Sequence, residues 1–255
     1  MSVSVCIICF NEERNIRRCL ESVSWANEIV VVDSGSRDGT VPIARSYTDH
    51  VYQRDWTGYV DQKNFSISKA HEEWILSLDA DEEASEDLGR EIQEEIKGPA
   101  PKSGYRMPRR SYYLGRWINH SGFYPDRQLR LFRRQLGRWT GGRVHERAEV
   151  QGNVGDLRSD LFHYPYEGSI SGLLRKVNAF SSLMAEDKHD RGKGYHLGLL
   201  VSRPIVKFLE VYLLKMGFMD GLPGFIIATT FAFGMFVRYA KIRELEMRRS
   251  LHSPS

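Results

Sequence analysis

Two aspartates, Asp79 and Asp81, directly follow an apolar run at residues 74–78. The run contains no proline and predicts a buried strand. Because open α/β sheets place their functional groups at the carboxyl ends of strands, we expect both carboxylates in a ligand crevice. Carboxylates at this spacing can bind Mg²⁺ or Mn²⁺, which keep open positions for substrate phosphates. Alternatively, these acids only form the N-cap and first turn of a helix over residues 85–96.

The composition is compatible with one domain plus an appendage, since 41% of the 255 residues are hydrophobic. The formal net charge of +3 is distributed unevenly. Acids concentrate at residues 82–95, and arginines at residues 106–147 and 238–249. Basic segments of this kind suit phosphate-bearing ligands or an anionic membrane surface. The chain carries no signature of a nucleic-acid-binding module, so we expect no nucleic-acid partner.

The three cysteines, Cys6, Cys9 and Cys19, do not form the pattern of a disulfide framework. Their odd number, with two of them on a predicted buried strand, indicates a reducing compartment. The N-terminal residues lack a basic segment followed by a cleavable apolar one, so we do not expect secretion. Together these features predict a cytoplasmic protein.

Strands and helices alternate through about the first hundred residues. Four strands are predicted, at residues 3–10, 28–32, 49–54 and 74–78. The connections between them are too long for hairpins, which predicts a mostly parallel sheet covered by helices. The second strand ends in Asp33, and the glycines and small polar residues after it allow a ligand to approach the backbone closely.

The remainder of the chain has a different pattern of apolar and charged residues. Residues 128–134 alternate apolar and basic side chains, which predicts an edge or one-sided strand. Residues 137–146 are rich in glycine and arginine and predict a loop. A long amphipathic helix is expected over residues 170–188, followed by two apolar segments at residues 197–218 and 222–237.

The apolar tail predicts an association with a surface. Residues 225–237 contain no charge, but about 20 such residues are needed to span a bilayer. We therefore expect a helical hairpin that lies in the interface of a membrane, with residues 238–249 on anionic headgroups. The alternative is a buried helix pair, in the core or in a homo-oligomer interface.

Four segments, at residues 7–12, 31–40, 63–64 and 78–81, together resemble the nucleotide-sugar-binding half of the family 2 glycosyltransferases. Residues 124–132 with 144–146 resemble a narrower branch, which contains bacterial glucosyltransferases that build the lipopolysaccharide inner core. The resemblance implies a GT-A fold, an α/β Rossmann-like domain with a mostly parallel sheet, plus a C-terminal helical extension. It divides the chain into a nucleotide-sugar-binding half (1–100), an acceptor-side half with the catalytic base (101–168) and the extension (169–255).

The resemblance also implies roles for individual residues. Phe10 packs on the nucleotide base, and Asp33 accepts a hydrogen bond from the uracil, unless it only forms a turn. Asp79 contacts the ribose and the water shell of the metal, and Asp81 binds the metal directly. The nucleotide-sugar-binding set is Phe10, Glu12, Asp33, Lys63, Asp79, Arg127, Arg130 and Arg143.

The cations of this set have alternatives of their own. Lys63 offsets the charge of the diphosphate, or else it is a solvated lysine on a helix. Arg127, Arg130 and Arg143 are candidates to hold the diphosphate of the donor or phosphates of the acceptor.

An inverting glycosyl transfer needs two further components. A metal neutralises the leaving diphosphate, and a base takes the proton of the acceptor hydroxyl. We expect Glu146 to be the base and Asp126 to be the alternative, and a salt bridge to Arg143 or Arg147 is the structural explanation for Glu146. His145 completes the ligands of the metal or orients the diphosphate.

The resemblance therefore implies an inverting hexosyltransferase that needs Mg²⁺ or Mn²⁺. It would transfer glucose from UDP-glucose to a lipid-linked heptose or Kdo acceptor at the inner face of the cytoplasmic membrane. Another acceptor (polyprenyl phosphate, a capsule intermediate or a peptide) and a non-catalytic scaffold are the alternatives. Residues 135–139 spell the Gln-x-x-Arg-Trp of processive members, which we interpret as coincidence, so we expect one sugar per acceptor.

Overall fold

The computed structural model describes residues 1–142, 146–165, 169–191 and 194–252. The chain divides into two compact units, Met1–Arg110 with Pro125–Tyr164 (unit 1) and Ser111–Tyr124 with Pro165–Ser255 (unit 2). The segment Ser111–Tyr124, which the sequence places in the acceptor-side half, groups with the C-terminal helices. Its Tyr113 and Ile118 are buried there against apolar side chains of those helices.

Half of the sheet in unit 1 is parallel, as predicted. Its strands are β1 (Val3–Cys9), β2 (Glu28–Asp33), β3 (Val51–Gln53) and β4 (Trp74–Asp79), and their order is β3-β2-β1-β4. The helices that connect them are α1 (Ile16–Ser22), α2 (Thr40–Arg45) and α3 (Tyr59–Ser68). Every pairing between these four strands is parallel, because each connection crosses over with a helix or a long loop.

The other half of the sheet is largely antiparallel. Its elements are β5 (Glu82–Ala84), α4 (Glu86–Lys97), β6 (Gly104–Tyr113), β7 (Arg116–Ile118), β8 (Asp126–Arg133), β11 (Val154–Asp156) and β12 (Leu161–His163). Strand β8 pairs antiparallel with β4 on one side and with β6 on the other. It is therefore an interior strand, and the expectation that it could be an edge strand was wrong. Overall, the sheet and its flanking helices confirm the predicted GT-A fold.

Alternation along β1 fills the core on both faces of the sheet. Val5 and Ile7 belong to the apolar cluster that includes α1 and α4, whereas Cys6 belongs to the cluster on the α3 side. The three cysteines are buried and free. Strand alternation places Cys6 and Cys9 in different clusters, which explains why they do not pair.

Residues 137–141 and Glu146 of the predicted loop at residues 137–146 instead belong to two consecutive paired strands. Strands β9 (Gly137–Gly141) and β10 (Glu146–Val150), which we call the β9–β10 hairpin, pair antiparallel, and Trp139 lies opposite Ala148. Asn64 of α3 holds β9 in place, since its side chain donates to the carbonyl of Trp139 and accepts from its N–H, both at 2.9 Å. The glycines and arginine of β9 give it a low strand propensity. The sequence therefore does not predict this strand, because tertiary contacts stabilise it.

Unit 2 is mostly helical. Its helices are α5 (Ile170–Asp190), α6 (Leu197–Leu209), a π-helix (Glu210–Leu214), a short 3₁₀ helix (Gly217–Asp220) and α7 (Gly221–His252). Asp220 is fully buried before α7, and its carboxylate accepts from the backbone N–H of Asn119 and from the hydroxyl of Ser121 at 3.0 and 2.8 Å. These bonds attach the loop after β7 to the turn between the apolar segments.

Much of the apolar surface of unit 2 is exposed. Among the described residues, the large apolar side chains exposed on α6, the turn after it and the first part of α7 are Leu197, Val201, Ile205, Val206, Leu209, Leu213, Leu214, Met216, Phe218, Met219, Leu222, Phe225, Phe233 and Phe236. We call this set the apolar surface. By length and composition alone, one helical stretch in the described part of the chain, Gly217–Arg248, could cross a membrane.

Gly224 gives a test of the packing in unit 2. A Cβ at Gly224 would lie 1.9 Å from the carbonyl oxygen of Gly217, a backbone atom that cannot move aside cheaply. We expect Gly224→Ala to lower the free energy of unfolding by about 3 kcal/mol, measured by urea denaturation. Gly198→Ala is the matched control, because no atom lies within 4 Å of that position. It should leave stability unchanged or raise it by less than about 1 kcal/mol; equal losses in both variants would contradict the packing.

Candidate functional site

The carboxyl ends of three parallel strands bring the predicted acids to one edge of the sheet. Cys9 at the end of β1 is in register with Asp33 of β2, and the preceding Ile8 is in register with Asp79 of β4. Asp33 and Asp79 therefore flank β1 at its carboxyl end, as the sequence predicts.

Asp79 is held by two cations. Its Oδ1 lies 2.9 Å from Nζ of Lys63, and its Oδ2 accepts from Nη2 of Arg130 at 2.8 Å. Burial acts to raise the pKa of Asp79, but the charges of Lys63 and Arg130 outweigh it and hold the pKa well below its usual value. Asp79 is therefore ionised in the folded protein.

Lys63 is almost completely buried, with 2% of its side chain exposed, so the solvated-lysine alternative was wrong. Besides Asp79, its Nζ lies 4.0 Å from Oε1 of Glu146 and 4.1 Å from the ring centroid of Trp139. A buried ammonium with carboxylates on two sides is a fixed positive charge at the edge of the sheet.

Glu82 is a buried acid that the sequence did not single out. Its Oε1 accepts from Arg130 at 2.7 Å and from Arg109 at 3.2 Å, and its Oε2 accepts the backbone N–H of Asp79 at 3.0 Å. Asp79 and Asp81 do not form the N-cap and first turn of the following helix, so that alternative was wrong. The N-cap of α4 is Ser85, which accepts from the N–H of Leu88 at 3.1 Å.

Asp81 lies beside a histidine from the end of unit 1. Strand β12 pairs antiparallel with β5 and places His163 opposite Glu82. Nε2 of His163 is 3.5 Å from Oδ2 of Asp81, and the N–H of Tyr164 donates to the carbonyl of Asp81 at 2.9 Å. No local pattern in the sequence marks His163, because only the pairing of these two short strands brings it to Asp81.

This donor pair fits a divalent cation that takes most of its ligands from substrate and water. An imidazole nitrogen and a carboxylate oxygen suit Mn²⁺, and the carboxylate suits Mg²⁺. Within the described ranges, no group of three or more His, Cys, Asp or Glu side chains could enclose a metal. Asp79 is less available as a ligand, because both of its oxygens already contact cations. His145, the third predicted ligand, and Arg143 lie outside the described residues.

The two candidate bases have different surroundings. Oδ2 of Asp126 accepts from Arg109 at 2.6 and 3.0 Å, and its Oδ1 accepts from Gln128 at 2.8 Å. Glu146, the first residue of β10, is 24% exposed and lies 4.0 Å from Lys63. Arg147, one of its two suggested salt-bridge partners, pairs with Glu149 instead.

Phe10, Glu12 and Asp33, which lie at the ends of β1 and β2, have three different environments. Phe10 is exposed just after β1. Asp33 is fully buried, and its Oδ2 accepts the N–H groups of Gly35 and Ser36 at 2.9 Å each, which is the turn-forming interaction. The backbone N–H of Glu12 donates to the hydroxyl of Thr40 at 2.7 Å.

Arg127 and Arg130 lie on β8 but do not meet. Nη1 of Arg127 donates to the carbonyl of Leu157 at 3.1 Å and lies 3.6 Å from Asp156, away from Asp79. Strand β8 is irregular between these two positions, because Tyr105 and Arg106 of β6 pair with Leu131 and Leu129, which leaves Arg130 as an extra residue in the ladder. Nε and Nη1 of the buried Arg130 have no hydrogen-bond partner in the part of the chain that the structure describes. Unsatisfied buried donors of this kind are compatible with an anionic ligand.

Trp139 supports both cations of the site. Its ring lies 4.1 Å from Nζ of Lys63 and 5.3 Å from the guanidinium carbon of Arg130, and its Nε1 donates to Ser77 of β4 at 3.2 Å. The sequence shows Trp139 only as part of the segment at residues 135–139, and the cation–π contacts depend on the β9–β10 hairpin.

Glu82 gives a test of the buried network. Glu82→Gln removes the charge that lies between the buried Arg130 and the partly buried Arg109, so we expect a loss of about 3 kcal/mol in the free energy of unfolding by urea denaturation. Glu83→Gln is the control, since Glu83 is partly exposed and lies 3.4 Å from Arg18; its loss should stay below about 1 kcal/mol. Similar losses in both variants would show that Glu82 does not organise the site.

Several known proteins are similar to this chain. The family model described as glycosyl transferase family 2 matches residues 4–150. The lipopolysaccharide core biosynthesis glycosyltransferase LpsC of Rhizobium meliloti (strain 1021) is 34% identical over 249 residues, which cover 95% of this chain and 92% of that protein. The uncharacterized glycosyltransferase RT0209 of Rickettsia typhi (strain ATCC VR-144 / Wilmington) is 32% identical over 263 residues. The match covers 96% of this chain and 88% of that protein. Among solved structures, S. aureus TarS 1-349 in complex with UDP matches with a TM-score of 0.46, 16% identity and coverage of 97% of this chain and 92% of that one.

Proposed function

The chain belongs to glycosyl transferase family 2, and we propose from this that it is an inverting, metal-dependent hexosyltransferase. The proposed donor is UDP-glucose, and the proposed acceptor is a lipid-linked saccharide of the heptose–Kdo inner core of lipopolysaccharide. The observation that carries the proposal is the meeting of ionised Asp79, buried Lys63 and Glu146 at one edge of the sheet, with Asp81 and His163 at the end of the adjoining strands.

Asp81 and His163 are the residues that would hold Mg²⁺ or Mn²⁺. Such an ion supplies Lewis-acid stabilisation of the leaving diphosphate when bound. Lys63 and Arg130 add fixed positive charge from the protein, and Asp79 keeps both cations in place through its two oxygens. Charges fixed in this way need no reorganisation as negative charge develops on the leaving group.

Glu146 is the proposed general base. It is partly exposed, so an acceptor hydroxyl can reach its carboxylate, and it faces the same lysine as Asp79. Asp126 remains the alternative, although both of its oxygens already accept hydrogen bonds from Arg109 and Gln128.

The acceptor and the location are inferred from the family relative and from unit 2. The relative LpsC is described by its name as a lipopolysaccharide core biosynthesis enzyme. The apolar surface of unit 2 would lie in the interface of the inner leaflet of the cytoplasmic membrane, which would bring a lipid-linked acceptor close to the enzyme. A second copy of the chain is the alternative occupant of this surface.

Metal-dependent binding of UDP tests the donor site. With Mn²⁺ present, we expect Asp81→Asn and His163→Gln each to lower the affinity for UDP at least about tenfold, measured by isothermal titration calorimetry. Glu72→Gln should bind UDP as the wild type does, because Glu72 precedes β4 and therefore lies at the opposite end of that strand from Asp81. Affinity that stays metal-dependent and unchanged in Asp81→Asn would remove Asp81 from the metal site, and a wild type that binds no nucleotide would favour a non-catalytic scaffold.

Turnover tests the base. Glu146→Gln should retain UDP binding while its kcat falls by about 10²- to 10⁴-fold, because only proton abstraction from the acceptor is lost. Asp126→Asn, measured in the same assay, should keep a larger fraction of wild-type turnover. The reverse order of the two variants would assign the base to Asp126.

Vesicle binding tests the apolar surface. Leu214 is 81% exposed on this surface, and we expect Leu214→Glu to weaken cosedimentation with anionic vesicles several-fold. Gln151→Glu adds the same charge at an exposed position of unit 1 and should not change binding. Unchanged binding of Leu214→Glu, together with a shift from dimer to monomer in light scattering, would assign the surface to a second copy.

A further inference from the structure

Two aromatic side chains beside the site have no role in the function proposed above. Trp56 lies in the loop between β3 and α3, and Tyr59 is the first residue of α3. Their ring centroids are 4.7 Å apart, and the rings meet edge to face at 86°. Trp56 is 49% exposed and Tyr59 38% exposed, so ring faces remain open to solvent. Large aromatic side chains gain little stability at such exposure, which points to a ligand that covers them.

The backbone between the two rings is unusual. Gly58 has φ of +122°, a conformation that L side chains rarely adopt. It is the N-cap of α3, and it turns the chain between the loop that carries Trp56 and the helix that begins with Tyr59. The local conformation therefore brings the two rings together at the start of the helix.

Helix geometry places this pair at the reaction end of the site. Tyr59 and Lys63 are four residues apart on α3, so they share one face of the helix about one turn from each other. Nζ of Lys63 contacts Asp79 at 2.9 Å and lies 4.0 Å from Glu146. The pKa of the Tyr59 phenol agrees with this position, since it is raised by burial and further by the charges of Glu146, Asp79 and Asp81.

This combination of groups matches the chemistry of a sugar ring. A pyranose has an apolar C–H face that can stack on an aromatic ring, and hydroxyl groups at its rim that donate to carboxylates. A nucleobase would stack equally well on open aromatic rings, so the experiment has to include UDP alone. The open rings and the carboxylates near them therefore favour a sugar.

We propose that Trp56 and Tyr59 form a stacking platform for a pyranose ring next to Glu146, either the hexose of the donor or the terminal sugar of the acceptor. This platform rests on the function proposed above and adds a residue pair that determines sugar recognition. Stacking of this kind contributes to the binding of the sugar and leaves the binding of the nucleotide unchanged.

Calorimetry with Mn²⁺ distinguishes the two sources of the sugar. The wild type, Trp56→Ala and Tyr59→Ala are titrated with UDP, with UDP-glucose and, in the presence of UDP, with a Kdo–heptose oligosaccharide. We expect the alanine variants to bind UDP normally and to lose about three- to tenfold in affinity for one of the two sugar ligands. A loss with UDP-glucose alone assigns the platform to the donor hexose, and a loss with the oligosaccharide assigns it to the acceptor.

Conservative variants separate the ring from its surroundings. Trp56→Phe and Tyr59→Phe keep an aromatic face and should bind close to wild type, whereas Trp56→Leu keeps apolar bulk and should behave like Trp56→Ala. The melting temperature of each variant shows that it is folded; both side chains are exposed, so we expect only small shifts.

Two results would overturn the platform. A loss of affinity for UDP itself that equals the loss for UDP-glucose would show stacking on the nucleobase, and unchanged affinity for both sugar ligands would show that neither sugar contacts the rings. In both cases UDP still binds the wild type, so the proposed transferase stands. A wild type that binds neither UDP nor UDP-glucose would reject the proposed function and the platform together.

Discussion

The ion pairs of Asp79 with Lys63 and Arg130 are the interaction on which the rest of the site depends. Lys63 and Asp79 lie on the consecutive elements α3 and β4, whereas Arg130 of β8 is 51 residues from Asp79 in the sequence. A buried charge is costly unless an opposite charge and good hydrogen bonds compensate it. Displacing any one of the three elements would therefore leave a buried charge without its partner. Glu82 extends this constraint, since it binds both Arg130 and the backbone N–H of Asp79.

This constraint explains why two aspartates separated by one residue have different surroundings. Both oxygens of Asp79 contact cations of the protein, and its pKa is held low, so its charge is committed to the fold. Asp81 lies beyond the end of β4, next to His163 on β12. The fixed position of Asp79 thus determines where Asp81 lies. The pairing of β5 with β12 determines that His163 is the side chain next to Asp81.

The sequence predicts the parts of the protein that local patterns determine. The parallel half of the sheet was predicted from apolar runs of strand length. Asp33 and Asp79, which end two of these runs, were predicted to lie at the carboxyl ends of the strands. The missed features depend on contacts between distant segments. The strand at Trp139 requires Asn64, the burial of Lys63 requires both Asp79 and the β9–β10 hairpin, and no local signal marks them.

Unit 2 raises a different physical question, because its most apolar helix does not form a core. No residue of α6 is buried in the structure, although a helix that packs inside a soluble domain buries a continuous apolar stripe. The apolar side chains of α6 are therefore left partly uncovered within the described part of unit 2. Lys207 and Lys215 both pair with Glu210 and lower its pKa, so charge interrupts the apolar residues in the middle of this region. Charged side chains at such positions are tolerated at a membrane interface, where they reach water, and are costly in the centre of a bilayer. In the proposed association with a membrane, α6 would therefore lie along the interface and not span the bilayer.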